Sequence, residues 1–261
     1  MKISSAENER IKYLRRLQAD ATLRRRERRF LIEGPAAIRS ILENNRRPLE
    51  IFWCPELFQD IAILNMARAL RITITELSLK SFAKISDVRT PQGIATLFAI
   101  DEPSPEAVLG NRNGLFLCCH GIQDPGNMGT MIRTADAAGA DAVIALPPSA
   151  SFYNPKTVRA SAASILNIPL LSFEENDFLA FARKEKINLF SAVAKGGAPF
   201  RSAMFNRPAC IVIGSETHGI PPQIQKQGAE VSIPMRNGVD SLNAAVAAAL
   251  LLYQAAREPD K

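Results

Sequence analysis

Five apolar runs in the C-terminal half constrain the fold of this chain more than any other feature. They are GLFLCCHGI at 114–122, DAVIALP at 141–147, INLFSAVA at 187–194, ACIVIG at 209–214 and VSIPM at 231–235. Each run is apolar along its length, as strands covered on both faces are, and helical stretches lie between most of them. The sequence therefore predicts an α/β domain with a mainly parallel sheet in this half.

The N-terminal half has the rhythm of a smaller α/β region. Its strand-like runs are FLIEG at 30–34, EIFWC at 50–54, ITITEL at 72–77 and GIATLFAI at 93–100, and helix-like runs such as 35–45 and 56–70 alternate with them. Residues 101–113 are rich in Pro, Asp, Glu and Asn, which indicates a linker. We expect two domains, residues 1–104 and 114–261, joined by a linker at 105–113.

The net charge of +6 is concentrated at the N-terminus, where residues 1–47 hold thirteen Lys and Arg against six Asp and Glu. A capping-box pattern at Ser4 and Glu7 predicts a basic amphipathic helix that opens the protein. The run TLRRRERR at 22–29 is either a solvated face or a surface that follows a phosphate backbone. The candidate residues for binding nucleic acid are Lys12, Arg15, Arg16, Arg24, Arg25, Arg26, Arg28 and Arg29.

Composition argues against several classes of protein. No run reaches the roughly eighteen apolar residues of a membrane helix, and the charged start is unlike a secretory signal, so we expect a cytoplasmic protein without a membrane partner. The four cysteines lack C-x-x-C spacing and there are two histidines, so we expect no metal site. Cys118 and Cys119 are interpreted as small apolar side chains of a buried strand.

Three loops that follow strands hold the candidate functional residues, because ligands of parallel sheets bind beyond the carboxyl ends of strands. The loops are DPGNMGTMIRTADAAGA at 124–140, IVIGSETHGI at 211–220 and VSIPMRNGVDSLN at 231–243. Their polar residues also have structural explanations as helix caps, cap neighbours or solvated side chains. These residues are Asn127, Arg133, Glu216, Ser241 and Asn243.

Taken together, the three loops resemble a known family. N-x-G-x-x-x-R-T-A-D at 127–136, G-S-E at 214–216, and I-P-M with S-L-N at 233–243 are similar in order and spacing to the motifs of SpoU-type RNA 2′-O-ribose methyltransferases of the SPOUT superfamily. The segment NPKTVRASAAS at 154–164 also resembles a family segment. The basic N-terminal region resembles a ribosomal-protein-like substrate-binding domain.

The resemblance implies a SPOUT domain with a deep trefoil knot and a homodimer formed through the C-terminal domain. It also implies S-adenosylmethionine as cofactor, bound at Gly214, Ile233, Met235 and Leu242. Arg133, Asn127, Glu216, Ser241 and Asn243 match the family's catalytic or substrate-positioning residues. The expected substrate is a ribose 2′-hydroxyl, of ribosomal RNA on the basis of the N-terminal domain. Transfer RNA and a non-catalytic RNA-binding protein are the alternatives.

The role of Arg133 stays open between two hypotheses. The family picture makes it the base that deprotonates the ribose hydroxyl, although arginine normally remains charged. Alternatively, it is a cation that binds an RNA phosphate and stabilises developing negative charge. Two departures from the family pattern are Thr217 and His218 in the second motif and Ala163 where many members have glycine. The glycine pattern of nicotinamide-binding folds is missing.

Overall fold

A computed structural model describes residues 2–256 and divides them into two compact units. The first comprises residues 2–101 and 153–166, and the second comprises 102–152 and 167–256. Within residues 2–256, no helix combines the length and the apolar character that crossing a membrane requires.

The first unit is a five-stranded mixed sheet with helices. Its sheet has the order β1-β4-β3-β5-β2, in which β5 runs antiparallel to both of its neighbours. The strands are β1 (Lys2–Ile3), β2 (Arg29–Glu33), β3 (Glu50–Trp53), β4 (Ile74–Leu77) and β5 (Ile94–Ala99). The helices are α1 (Glu9–Ala19), α2 (Ala21–Glu27), α3 (Pro35–Glu43), α4 (Ile61–Ala69), α5 (Leu79–Ile85) and α8 (Pro155–Ala160), followed by a 3-10 turn at Ser164–Leu166.

The predicted basic helix is present, but it begins later than its predicted cap. Helix α1 buries Ile11, Leu14 and Leu17 and exposes Lys12, Arg15 and Arg16. Asn8 caps it by accepting a hydrogen bond from the backbone N of Arg10 at 2.8 Å. The capping box predicted from Ser4 and Glu7 is therefore wrong, because a better-placed cap residue follows it.

Arg24 does not have the surface position that an RNA contact requires. Its side chain is buried, and Nη1 donates to the backbone oxygens of Leu17 and Gln18, each at 2.7 Å. These bonds satisfy carbonyl groups at the end of α1, where helices leave acceptors without partners. Burial also lowers the pKa of the Arg24 guanidinium. Arg24 thus joins α1 to α2, and we remove it from the RNA-binding set.

Residues 153–166 pack within the first unit, although they lie beyond the predicted linker in sequence. The Tyr153 ring lies 4.9 Å from that of Phe30 between centroids, and Arg159 forms an ion pair with Asp87. The family-like segment at 154–164 therefore belongs to the packing of the N-terminal sheet.

The second unit contains the predicted parallel sheet. Its seven strands pair in the order β10-β12-β9-β11-β6-β7-β8, and every pair is parallel. The strands are β6 (Leu115–His120), β7 (Ala142–Leu146), β8 (Leu170–Ser172), β9 (Asn188–Val193), β10 (Ala198–Pro199), β11 (Ala209–Ile213) and β12 (Ala229–Ser232). The helices are α6 (Pro105–Leu109), α7 (Pro125–Ala137), α9 (Glu175–Lys184), α10 (Pro222–Gln225) and α11 (Ala244–Ala256). Helix α6 lies inside the predicted linker and buries Leu109.

Side chains of β6 point alternately to the two faces of the sheet and contact different helices on each. Phe116 and Cys118 belong to a buried cluster with Phe178 of α9. Cys119 points to the other face, where its Sγ lies 3.6 Å from Sδ of Met131 on α7. Since side chains alternate along a strand, His120 shares the face of Phe116. The parallel strands bring the loops after β6, β11 and β12 to one edge of the sheet.

The backbone at Ala163 generates a stability prediction. Its φ of +75° lies in the left-handed region that disfavours L-residues. Ala163→Gly should raise the free energy of unfolding by roughly 0.5 kcal/mol, because relief of strain exceeds the loss of a buried methyl group. The matched control is Ala160→Gly in α8, which should lower the same free energy by about 0.5–1 kcal/mol. Urea denaturation measures the free energy of unfolding of both variants. An equal decrease in the two would contradict backbone strain at Ala163.

Candidate active site

Asn127 is not the cap of α7, because Asp124 performs that function. The Asp124 carboxylate accepts a hydrogen bond from the backbone N of Asn127 at 2.8 Å, and Pro125 occupies the first turn. The Asn127 side chain is therefore available for another contact. Its Nδ2 donates to Oε1 of Glu216 at 2.9 Å, across 89 residues of sequence.

Glu216 lies in a tight turn after β11. Gly219 N donates to the backbone oxygen of Ser215 at 2.9 Å, and His218 N donates to Ser215 Oγ at 3.0 Å. A Cβ atom on Gly214 would lie 2.3 Å from the carbonyl carbon of Gly219, so the turn closes only with glycine at position 214. Thr217 and His218, which depart from the family pattern, occupy the exposed part of this turn.

Asn243 both caps a helix and contacts the other predicted site residues, two roles that the sequence left open. Its Oδ1 caps α11 by accepting from the backbone N atoms of Ala245 and Val246 at 2.9 and 3.3 Å. Its Nδ2 donates to Oδ1 of Asn127 at 3.0 Å and lies 3.4 Å from Oε1 of Glu216. Asn243 is therefore a helix cap, as its residue type suggested, and it is also part of the polar cluster.

Glu216 Oε1 is the atom on which the three loops meet. It accepts from Asn127, from Asn243 and from the backbone N of Ala244 at 3.2 Å, at the N-terminus of a thirteen-residue helix that favours negative charge. Oε2 has no hydrogen-bond partner among residues 2–256. The arrangement thus presents one fixed carboxylate oxygen, flanked by amides, to a ligand.

The other predicted residues lie at the same edge of the sheet. Ser241 is exposed two residues before Asn243. Gly214 directly follows β11 and Ile233 directly follows β12, while Met235 and Leu242 lie in the loop that leads to α11. Ile233, Met235 and Leu242 are only partly buried, so this loop offers apolar side chains at the strand ends.

Arg133 is not joined to this cluster within one chain. It lies six residues after Asn127 on α7, roughly 9 Å along the helix axis and about 120° around it. Its side chain is exposed, and no residue in the described part of the chain accepts a hydrogen bond from it. The exposed positions Thr130, Arg133 and Ala137 form one stripe of α7, which the partly buried Gly126 continues.

A cavity of ≈330 Å³ opens beside Asn127 and Glu216. Its wall includes His120, which was not among the predicted site residues. Its position in the sequence could have identified it, because His120 is the polar last residue of an otherwise apolar strand, where ligands of parallel sheets bind. Burial raises the pKa of the neighbouring Cys118 and Cys119 thiols, so both are neutral near pH 7.

Known proteins share both the motifs and the fold. The sequence model of the SpoU rRNA Methylase family matches residues 114–253, and that of the MRM3-like substrate binding domain matches residues 8–96. The chain belongs to the SpoU rRNA methylase family. It is 30% identical to 23S rRNA (guanosine(2553)-2′-O)-methyltransferase RlmP of Bacillus subtilis, over 96% of this chain and 97% of that protein.

Two crystal structures show the same fold across nearly the whole chain. One is described as an RNA 2′-O ribose methyltransferase, with 30% identity, a TM-score of 0.82 and coverage of 98% of both chains. The other is an AdoMet-bound rRNA methyltransferase from Sinorhizobium meliloti, with 24% identity, a TM-score of 0.86 and coverage of 98% of this chain and 97% of that one. The predicted α/β fold and family membership are thereby confirmed.

The two functions of Asn243 can be separated by substitution. Asn243→Ala removes the cap of α11 and should lower the free energy of unfolding by about 1 kcal/mol. Asn243→Ser keeps an oxygen that caps the helix and removes the amide that contacts Asn127, so its loss should be a few tenths of a kcal/mol. Urea denaturation compares the two, and equal losses contradict the capping role.

Proposed function

We propose that this protein transfers a methyl group from S-adenosylmethionine to a ribose 2′-hydroxyl of ribosomal RNA. The observation that carries the proposal is the convergence of Asn127, Glu216 and Asn243, from three separate loops, at the carboxyl edge of the sheet in a member of the SpoU rRNA methylase family. The relative from Bacillus subtilis acts on the same chemical group of 23S rRNA.

The residues proposed to hold S-adenosylmethionine fit it chemically. Gly214 allows the turn after β11 to close at the edge of the site, and Ile233, Met235 and Leu242 supply partly exposed apolar contacts at the strand ends. When bound there, the cofactor supplies an electrophilic methyl group on a positively charged sulfur. The predicted knot would fold these loops around it.

The polar cluster has the geometry to position the ribose. We assign Oε2 of Glu216 to a hydrogen bond from the 2′-hydroxyl. This bond orients the oxygen lone pairs, and the carboxylate is the acceptor for the hydroxyl proton when that oxygen attacks the methyl group. Asn127 and Asn243 fix Oε1 of the same carboxylate, so Glu216 does not need to reorganise when the hydroxyl attacks. Ser241, exposed at the same loop, is assigned to the mouth of the site.

Arg133 is assigned to the site of a second copy of the chain. It is exposed and makes no contact with the cluster of its own chain, yet the family motif includes it. Val246, Leu250 and Tyr253 form an exposed apolar stripe on α11, which packs against α7. A homodimer that covers this stripe would present Arg133 to the partner's cluster. There we favour the cationic role, because arginine normally stays protonated.

The N-terminal unit is assigned to RNA binding. Lys12, Arg15, Arg16, Arg25, Arg26 and Arg28 are exposed and Arg29 is partly exposed, so this unit presents a basic surface of the kind that attracts phosphates. The proposed domains are residues 1–104 and 114–261, with 105–113 between them. We place the protein in the cytoplasm, a reducing compartment that suits its four buried, unpaired cysteines.

Transfer of labelled methyl groups tests the function. The wild type should label unmodified ribosomal RNA and not bulk transfer RNA, and nuclease digestion should release a 2′-O-methylated nucleoside. Label in transfer RNA alone would overturn the choice of substrate. RNA binding with strong salt dependence, without labelling or S-adenosylmethionine binding, would favour a non-catalytic RNA-binding protein.

Mixing two inactive variants tests the assignment of Arg133. Arg133→Ala and Glu216→Gln should each lose activity as homodimers. If Arg133 serves the partner's site, one site of each mixed dimer is intact, and co-refolded chains should recover about a quarter of wild-type activity. If Arg133 serves its own site, no mixed dimer has an intact site and the mixture stays inactive.

A further inference from the structure

The loops that precede β3 and β4 in the first unit enclose a cavity that has no role in the proposed mechanism. The cavity has a volume of ≈330–410 Å³ at most, with ≈410 Å³ open to a ligand, and is lined by residues 47–49 and 69–73. Since β3 pairs with β4, and Ile51 N donates to the backbone oxygen of Thr73 at 2.9 Å, the two loops lie side by side. They meet at the amino ends of these strands.

The charged side chains of the two loops are all positive. Residues 44–49 and 68–73 contain four arginines and no Asp or Glu. Two of the four, Arg47 and Arg71, line the cavity and are exposed. Their side chains form no hydrogen bond or ion pair within the described residues 2–256. The cavity therefore has two guanidinium groups in its wall that no carboxylate of the described chain neutralises.

The groups nearest in sequence have other contacts. Arg68 donates to Asn65 at 2.9 Å and lies in the last turn of α4, where the helix dipole favours a cation. The carboxylate of Glu50, which directly follows the first loop, accepts from Arg10 and Thr75. Helix capping and local ion pairing thus account for Arg68 and Glu50, and they leave the two arginines of the cavity for a ligand.

The rest of the wall strengthens the attraction of this cavity for an anion. Leu49 is 48% exposed, and Leu70 and Ile72 are half-buried, so apolar side chains stand beside the guanidinium groups. Charges are screened less where apolar groups displace water. A guanidinium also has a planar set of N–H donors that binds phosphate oxygens in pairs. The ligand chemistry that the cavity fits is a phosphate group.

We propose that Arg47 and Arg71 together hold one phosphate of the ribosomal RNA in this cavity. The choice of RNA as the source of the phosphate rests on the proposed function. Both loops lie within residues 8–96, which match the substrate binding domain model. The contact lies outside the candidate set at residues 12–29, and it positions the RNA through its backbone without reading its sequence.

The backbone at Arg71 allows the side chain to be removed without damage to the fold. Its φ of +56° is left-handed, and Ile72 N donates to the backbone oxygen of Ala67 at 2.9 Å, a helix end at which glycine is the usual residue. Arg71→Gly should therefore not lower the urea midpoint of unfolding. Lys186 ends α9 with a φ of +55° and the same hydrogen-bond pattern, so Lys186→Gly is a control matched in backbone and charge.

Equilibrium binding of unmodified ribosomal RNA to the full chain, without S-adenosylmethionine, tests the contact. Arg47→Ala, Arg71→Gly and the double variant are compared with the wild type at several salt concentrations. Each single variant should raise the Kd about tenfold, because a charge-assisted contact is lost. In the double variant, the slope of log K against log salt should become shallower by roughly 0.7–0.9, the value for one phosphate. Lys186→Gly should change neither quantity.

The outcomes separate this proposal from the proposed function. A slope that becomes shallower by roughly 1.4–1.8 in the double variant would assign the arginines to two phosphates and overturn the shared site. Unchanged binding in the double variant, or an equal loss in Lys186→Gly, would also overturn it, while the function stands. A wild type that neither binds ribosomal RNA nor transfers methyl groups to it overturns the proposed function instead.

Discussion

The site depends on a single carboxylate oxygen. Oε1 of Glu216 accepts hydrogen bonds from Asn127, Asn243 and the first backbone N–H of α11, and these groups come from three loops far apart in sequence. Glu216 is exposed, so these bonds add little to global stability. These bonds instead position the carboxylate. Because they hold Oε1, the direction of Oε2 is fixed before any substrate binds. The parallel sheet makes this possible, because it delivers all three loops to one edge.

Stability and function share residues at this edge. Asn243 caps α11 with one side-chain atom and contacts Asn127 and Glu216 with the other, so a single amide couples the start of α11 to the carboxylate. Asp124 caps α7 and thereby leaves the Asn127 side chain for Glu216. Gly214 permits a turn that any side chain would block. Local rules of helix capping and turn formation thus place the functional groups.

The longer strands of both units could be predicted because their apolar runs are bounded by turns, whereas the two- and three-residue strands β1, β8 and β10 were not predicted. The meeting of Asn127, Glu216 and Asn243 was implied by family resemblance, whereas residue types alone favoured capping. Other features lay beyond sequence reasoning. Arg24 carries the same charge as its neighbours, and only the packing of α2 on α1 buries it. Residues 153–166 give no local sign that they pack with the N-terminal sheet, since that pairing is a long-range contact.

The central claim is that Asn127 and Glu216 act as one unit, and a double-mutant cycle on kcat measures it. Asn127→Ala, Glu216→Ala and the double variant are compared with the wild type on ribosomal RNA, at saturating S-adenosylmethionine. The account predicts that the double variant is scarcely slower than the slower single variant, a coupling of about 1 kcal/mol or more in activation free energy. Effects that add to within about 0.5 kcal/mol would contradict it, because the two side chains would then act independently.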